Sequence, residues 1–156
     1  MRRGLIGEIL MRFEKAGFRL VATKLVQATT DLAGKHYSYE DIAVRHGEPI
    51  RNALIEFITS SPVLAFVLEG VGAVEGVRKM CGSTEPLKAA PGTIRGDYSH
   101  HHFSLTAAKG QSIRNLIHAS ANLEDAAREI PLWFGSDELL DYRTNSQNEH
   151  FLDEEA

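Results

Sequence analysis

Apolar residues follow two different spacings along the chain, and the spacing changes at clear break points. In some stretches they recur every three or four residues opposite polar positions, which is the pattern of an amphipathic helix. In others they form short runs rich in Leu, Val and Thr, which is typical of a strand. The first pattern predicts helices over residues 5–16, 49–59, 73–80 and 123–130. The second predicts strands over residues 18–27, 63–68 and 113–117.

Glycine and proline delimit these elements. Gly17 stands where a glycine commonly follows a helix, and Pro49 suits the first turn of one. Pro131 is expected to end the last long helix. Two shorter helical segments are predicted over residues 30–37 and around residues 136–141.

Two segments of low periodicity connect these elements. Residues 38–48 are polar, and residues 82–110 hold prolines, glycines and a histidine run, so both are predicted to be connections. A connection as long as the second is usually functional or disordered. Helices and strands otherwise alternate, so the fold class is α/β or α+β.

Composition narrows the class of protein. Of 156 residues, 43% are hydrophobic and 24% are charged, which excludes collagen-like and wholly disordered chains. The net charge of −4 argues against a dedicated nucleic-acid or anionic-membrane binder. One cysteine, Cys81, cannot form an internal disulfide, which favours a reducing compartment. The longest apolar run, residues 62–68, is too short to cross a bilayer, and the start lacks a signal-peptide core, so we expect a cytoplasmic protein.

A histidine at the end of a predicted strand is the first candidate for chemistry. His118 follows residues 113–117 and precedes a turn and a helix, a position from which a side chain can project into a cleft. An imidazole can attack phosphorus or move protons if a partner fixes its other ring nitrogen. Glu129 supplies that partner if its helix folds back. The alternative is a structural histidine satisfied by a backbone carbonyl, and these residues alone leave both interpretations open.

Arginine and hydroxyl side chains form a second candidate, a phosphate site. Residues 91–97 read Pro-Gly-Thr-Ile-Arg-Gly-Asp and include Arg95, while Arg78 and Thr84 lie upstream. Guanidinium groups pair with phosphate oxygens in a bidentate fork. The sequence contains neither a Walker-type loop nor a Gly-x-Gly-x-x-Gly motif, so side chains must supply most of the contacts. Taken singly, each arginine is equally explained as a solvated surface charge.

The run His100-His101-His102 is a third candidate, for metal binding. Neighbouring side chains of a strand point to opposite faces, and a spaced second pair of ligands is missing from the sequence. A surface loop is the simpler interpretation of this run.

Together and in this order, these motifs resemble those of the nucleoside diphosphate kinase family. Residues 115–121, Asn-Leu-Ile-His-Ala-Ser-Ala, are similar to the family's active-site motif, and residues 91–97 match almost as well. Further matches lie at residues 3–9, 35–37, 61–63, 132–134 and 138–142, so the resemblance covers nearly the whole chain. It implies a ferredoxin-like antiparallel sheet covered by helices, in one domain over residues 1–143, assembled into tetramers or hexamers.

The resemblance also implies an activity and its residues. The reaction would be ping-pong transfer of the γ-phosphate from ATP, or another nucleoside triphosphate, to a nucleoside diphosphate through phosphohistidine. His118 would be the nucleophile, Glu129 would orient its other nitrogen, and Mg²⁺ would bridge the phosphates. Contacts to the nucleotide are implied for Tyr37, Ile50, Leu54, Arg78, Thr84, Arg95 and Asn115. Of these, Asn115 would reach the sugar hydroxyl, and Ile50 and Leu54 would lie near the base.

The sequence departs from the family's pattern at three places. Ile50 stands where the family usually stacks the base on a phenylalanine. The loop at residues 98–112 is longer than the commonest form, and residues 144–156 form a polar acidic tail. The family's first strand, which ends in Lys-Pro-Asp-Gly, precedes the segment that matches residues 3–5 and is missing from this sequence. Two hypotheses follow: an active kinase, or a weakly active or inactive nucleotide-binding or assembly protein of the same fold.

Overall fold

The fold combines helices with a two-stranded antiparallel sheet. The computed structural model describes residues 3–107, 109 and 111–144, so residues 145–156 of the predicted tail lie outside it. Its helices are α1 (Ile6–Lys15), α2 (Thr30–His36), α3 (Val44–His46), α4 (Glu48–Thr59), α5 (Ala73–Cys81), α6 (Ile94–Tyr98), α7 (Phe103–Ala107) and α8 (Leu123–Trp133). The strands are β1 (Arg19–Val26) and β2 (Val63–Glu69), and short π or 3-10 turns cover Tyr39–Ala43, Pro86–Lys88 and Ser136–Glu138. The single domain over residues 1–143 remains a prediction.

The apolar face of α1 builds the centre of the core. Phe13 is fully buried and packs with Cys81 of α5 and Ile94 of α6. Partly buried side chains surround this centre: Ile9, Phe18, Phe66, Leu68, Val77, Met80, Tyr98, Ile117 and Ala119. Gly17 follows α1 with a φ of +88°, a left-handed conformation that glycine adopts without strain, and so turns the chain into β1. The same core therefore supports the segment that carries His118.

The two strands confirm the predictions over residues 18–27 and 63–68. They pair antiparallel, with Arg19 opposite Glu69 and Val26 opposite Val63. The side chains of residues 63–68 are only half-buried, although a continuous apolar run is typical of a strand that is covered on both faces. Within the described ranges the sheet has two strands, so the edge of β2 away from β1 has no strand paired with it.

The strand predicted over residues 113–117 is wrong. Leu116 has a φ of +74°, which a strand cannot contain, and the Ile117 amide donates back to the Asn115 carbonyl at 2.9 Å. The segment is thus folded into a γ-turn. The Arg95 guanidinium, not a neighbouring strand, donates to the Ile117 carbonyl, at 2.7 Å.

Helices α2, α4 and α5 confirm the predictions over residues 30–37, 49–59 and 73–80. The Thr29 hydroxyl caps α2 by accepting from the Leu32 amide at 3.1 Å. Phe57 on α4 is 37% exposed, so this helix lies at the surface. In the ranges that the structure describes, every helix falls short of the length and apolar character that crossing a bilayer requires.

Both predicted connections contain helical turns, which corrects the expectation for residues 38–48 and 82–110. The Ser38 hydroxyl accepts from the Asp41 amide at 3.2 Å and caps the π turn that leads into α3. The Thr93 hydroxyl accepts from the Gly96 amide at 3.1 Å and caps α6. Such helices are too short to show a hydrophobic period, so the apolar pattern of the sequence did not predict them.

Pro131 does not end α8, contrary to the sequence prediction. The helix continues to Trp133, and the Phe134 amide donates to the Ile130 carbonyl at 2.9 Å. Proline gives up its own amide bond but has a φ compatible with a helix, so the flanking bonds persist here. The extra turn carries Trp133 towards the site described next.

Candidate active site

A strained turn and an arginine hold the segment that carries His118. The γ-turn at Leu116 places a non-glycine residue in the left-handed region, a conformation that costs about 1–3 kcal/mol and needs support from its surroundings. Arg95 supplies that support, since its guanidinium donates to the Ile117 carbonyl and to the Gly82 carbonyl, each at 2.7 Å. The arginine therefore ties the His118 segment to the end of α5.

The predicted contact between His118 and Glu129 is present. Asn122 caps α8 by accepting from the Asp125 amide at 2.7 Å, and the helix then runs back past the turn. The His118 Nε2 lies 3.0 Å from one Glu129 carboxylate oxygen and 3.2 Å from the other. The Ser120 hydroxyl donates to the same carboxylate at 2.5 Å. Burial raises the pKa of Glu129, but the His118 and Ser120 contacts outweigh it and hold that pKa below its ordinary value.

This contact selects the reactive nitrogen of His118. An ionised carboxylate only accepts hydrogen bonds, so Nε2 carries the proton in the neutral ring and Nδ1 keeps its lone pair. The His118 side chain is 46% exposed, whereas that of Glu129 is 10% exposed. The arrangement therefore presents a nucleophilic or basic nitrogen to solvent and buries the group that orients it.

A second histidine, which the sequence analysis did not assign a role, packs against the first. His36 is buried at the end of α2, and its ring meets the His118 ring edge-on at a centroid distance of 4.5 Å. The Trp133 indole donates to His36 Nδ1 at 3.2 Å. Burial and the neighbouring His118 lower the pKa of His36, so the ring is neutral at neutral pH. In the sequence, His36 was marked only by its position within residues 35–37, one of the segments that resemble the family.

Tyr37 also packs against His36 and lies near His118. Its ring lies 4.6 Å from that of His36 and 6.4 Å from that of His118, centroid to centroid. Burial, together with Glu129, raises the pKa of Tyr37 to about 12. The phenol is thus protonated at neutral pH and can donate a hydrogen bond to a ligand.

A cavity of about 230 Å³ adjoins the His118 segment through Ala119 and contains the predicted phosphate contacts Arg78, Thr84 and Arg95. Its lining is Arg78, Cys81, Gly82, Ser83, Thr84, Arg95 and Ala119. Arg78 donates to the Ser120 carbonyl at 3.4 Å, and burial and Arg78 lower the pKa of Arg95. Two guanidinium groups without a carboxylate among the lining residues form an environment that favours an anion.

The remaining predicted residues lie at the edges of this region. The side-chain amide of Asn115 donates to the Thr84 carbonyl at 3.3 Å, so the predicted sugar contact lies next to a residue that lines the cavity. Ile50 and Leu54 lie on α4, where Ile50 is 51% exposed. Helix α2 packs against both α4 and α8, and so links the predicted base contacts to the His118 region.

The histidine run does not form a three-ligand metal site. Among the described residues, the group that brings three metal-binding side chains together is His36, His118 and Glu129. His102 Nδ1 instead pairs with the Ser104 hydroxyl at 2.5 Å. Of the run at residues 100–102, the His102 ring is therefore engaged in a local hydrogen bond.

Comparison with known proteins identifies the family. The family model described as nucleoside diphosphate kinase matches residues 1–139. The nucleoside diphosphate kinase of Borreliella burgdorferi is 54% identical over 97% of this chain and 90% of its own length. That of Thermus thermophilus is 51% identical over 90% of this chain and 91% of its own length.

Solved structures share the fold as well. A transition-state mimic of the Borrelia burgdorferi enzyme with bound vanadate and ADP has a TM-score of 0.94 at 54% identity, covering 96% of this chain and 89% of that one. The Halobacterium salinarum enzyme in complex with CDP has a TM-score of 0.79 at 39% identity, covering 95% of this chain and 89% of that one. These likenesses confirm the ferredoxin-like α+β fold class. The chain belongs to the nucleoside diphosphate kinase family.

Proposed function

We propose that this protein transfers the γ-phosphate of a nucleoside triphosphate to a nucleoside diphosphate through phosphorylated His118. The observation that carries the proposal is the pairing of His118 Nε2 with buried Glu129 at 3.0 Å, which leaves Nδ1 free. The next residue, Ala119, lines the cavity that contains Arg78 and Arg95. Family membership supports the same reaction.

The chemistry proceeds in two half-reactions. In the first, the His118 Nδ1 lone pair attacks the γ-phosphorus, an N–P bond forms, and the bond from phosphorus to the bridging oxygen breaks, which releases the diphosphate. The ring gains positive charge as the bond forms, and Glu129 stabilises it. In the second, a terminal oxygen of the acceptor diphosphate attacks the same phosphorus, and His118 leaves with its electron pair restored.

Side chains of the cavity hold the phosphates. Arg78, Arg95 and Thr84 offer guanidinium and hydroxyl donors to phosphate oxygens, and Tyr37 offers its phenol. The lining contributes no carboxylate, so its chemistry fits a phosphate chain and leaves Mg²⁺ to be carried on the nucleotide's own oxygens. Held in that way on the nucleotide, Mg²⁺ would neutralise charge on the transferring group.

The base and the sugar meet different surfaces. Asn115 is proposed to contact a sugar hydroxyl, since its amide already lies at the Thr84 edge of the cavity. Ile50 and Leu54 offer apolar contact to the base without a hydrogen-bonding edge. Such contacts discriminate weakly, so comparable turnover of ADP, GDP, CDP and UDP is expected.

The chain is also proposed to act as a cytoplasmic homo-oligomer. Large apolar side chains that are exposed in the single chain support self-association: Leu25 at 61%, Val71 at 74%, Leu87 at 62% and Leu140 at 63%. Light scattering after size exclusion distinguishes a tetramer or hexamer from a monomer.

Covalent labelling tests the proposed nucleophile. Incubation with γ-labelled ATP and Mg²⁺ should give an acid-labile, alkali-stable protein label that transfers to GDP on a second incubation. His118→Ala should abolish the label, and the matched variant His100→Ala, at an exposed histidine in the long loop, should retain it. Full labelling of His118→Ala would refute the assignment. Nucleotide binding without any label in the unmodified chain would favour the binding-protein alternative.

A further inference from the structure

Two histidines and a carboxylate converge at the site, and the proposed phosphotransfer uses only two of them. One ligating atom each from His36, His118 and Glu129 lies within 4.8 Å of the other two. His36 Nδ1 is 3.8 Å from Glu129 Oε1, and His118 Nε2 is 3.0 Å from Glu129 Oε2. Neutral imidazoles with one carboxylate are a ligand set of catalytic and inhibitory zinc centres rather than of magnesium sites, which prefer oxygen.

We propose that His36 Nδ1, His118 Nε2 and Glu129 bind Zn²⁺, and that the bound ion prevents phosphorylation of His118. Ligand atoms on a tetrahedral zinc ion lie about 3.4 Å apart, given bonds of about 2.0–2.1 Å. Measured to the same oxygen, Glu129 Oε1, His36 Nδ1 lies 3.8 Å away and His118 Nε2 lies 3.2 Å away, and these two separations bracket that value. Because the ligand atoms of the three residues all lie within 4.8 Å of one another, closing them around an ion takes shifts of no more than about 1–1.5 Å. Three protein ligands leave the fourth position of a tetrahedral zinc ion to water.

Two neighbours oppose the ion and limit its affinity. The Trp133 indole donates to the same His36 Nδ1 lone pair that zinc needs, at 3.2 Å. The Arg128 guanidinium lies 3.4 Å from Glu129 Oε1 and repels a cation. Binding therefore breaks the Trp133 hydrogen bond, which makes this residue, the one tryptophan of the chain, a built-in reporter.

The inhibitory effect follows from the two ring nitrogens of His118. Zinc on Nε2 replaces the proton that Glu129 accepts, and the neutral imidazole then carries its proton on Nδ1. Nδ1 loses its lone pair and cannot attack phosphorus. Conversely, phosphorus on Nδ1 leaves the proton on Nε2, so phosphorylation excludes zinc. This consequence rests on the proposed function, whereas the binding of zinc does not.

Zinc binding is measured first without nucleotide or phosphate. Titration of the full chain with Zn²⁺ alone, followed by equilibrium dialysis and by Trp133 fluorescence, should show one ion per chain and a saturable spectral change. His36→Gln should weaken binding at least about tenfold, as loss of a metal-site interaction typically does. Trp133→Phe frees the His36 lone pair, so dialysis should show binding about two- to tenfold tighter, the equivalent of one neutral hydrogen bond.

Matched controls separate this site from the exposed histidines. The double variant His100→Asn/His102→Asn should bind Zn²⁺ as the unmodified chain does, and Mg²⁺ should not displace the ion. Unchanged affinity in His36→Gln, unchanged or weaker affinity in Trp133→Phe, or loss of binding in the double variant would each overturn the proposal.

The effect on phosphorylation is tested separately. Zn²⁺ in excess over nucleotide should suppress labelling from γ-labelled ATP, EDTA should restore it, and His36→Gln should need at least about tenfold more zinc. Equal suppression in both proteins would refute the inhibitory role. A protein that binds zinc but takes no label even without it would contradict the proposed function and leave the metal site standing.

Discussion

Replacing Glu129 with glutamine removes one negative charge from the His118 pair and keeps the shape of the side chain. When His118 Nδ1 attacks phosphorus, the ring becomes positively charged while its Nε2 lies 3.0 Å from the Glu129 carboxylate. An amide oxygen can still accept that hydrogen bond, but it cannot stabilise the developing charge to the same extent. We therefore expect Glu129→Gln to retain nucleotide binding and to slow phosphorylation of His118.

The geometry sets the size of this effect. Unit charges 3.0 Å apart attract each other by about 1.4 kcal/mol in bulk water and about 5.5 kcal/mol at an effective dielectric constant of 20. His118 is 46% exposed and solvent screens the pair, so the lower part of this range applies. A loss of about 1.5–3 kcal/mol of transition-state stabilisation corresponds to a rate about 10- to 150-fold lower.

A single-turnover assay measures that step directly. The protein is mixed with excess γ-labelled ATP and Mg²⁺, quenched with alkali at short times, and the rate of label appearance is compared with the affinity for ADP. Glu124→Gln is the matched control, because it makes the same change on the exposed first turn of the same helix and should leave the rate unaltered. A Glu129→Gln rate within twofold of the unmodified chain would refute the assigned role of the carboxylate.

Three further predictions address the support of the site. Leu116→Gly should be about 0.5–1 kcal/mol more stable in urea unfolding than Leu116→Ala, because a φ of +74° is unfavourable for alanine. The control Ala53→Gly, within α4, should instead lower the free energy of unfolding by about 1 kcal/mol. A Leu116→Gly variant less stable than Leu116→Ala would contradict the strained turn. Arg95→Lys should lower the free energy of unfolding by about 1–3 kcal/mol, since one ammonium cannot bridge the Gly82 and Ile117 carbonyls, and unchanged urea unfolding would exclude this bridge. Interactions with His118 and Ser120 outweigh burial and lower the Glu129 pKa, while the Gly92 amide and Arg12 lower that of Asp97, so the unfolded state binds more protons in acid. The stability that these groups contribute is present above their ordinary pKa values of about 4 and is lost as the pH falls through the lower folded values. Urea unfolding at several acidic pH values should therefore show a weaker pH dependence of the free energy of unfolding in Glu129→Gln.

Local pattern was sufficient for the elements whose stability comes from one long apolar face. Apolar residues spaced three or four apart up to Phe13 predicted α1, and the apolar run that begins at Val63 predicted β2. Both predictions were possible because helices and strands have different side-chain periods. The structure shows where such a helix begins, since the Thr29 hydroxyl caps α2. The residues around His118 also indicated its chemistry, since a nucleophile, an acid partner and phosphate-binding arginines are recognisable by type.

Only the tertiary structure decided how those residues meet. An apolar run such as residues 113–117 has the composition of a strand, but its backbone bonds go to Arg95 and to a γ-turn, and no local pattern encodes a partner distant in the chain. The same holds for His36, which reaches His118 because α2 packs against α8, and for Trp133, which α8 carries past Pro131 to the His36 ring. Residue types are local properties of a sequence, whereas the choice of which histidine nitrogen is free depends on contacts that form only when distant segments pack together.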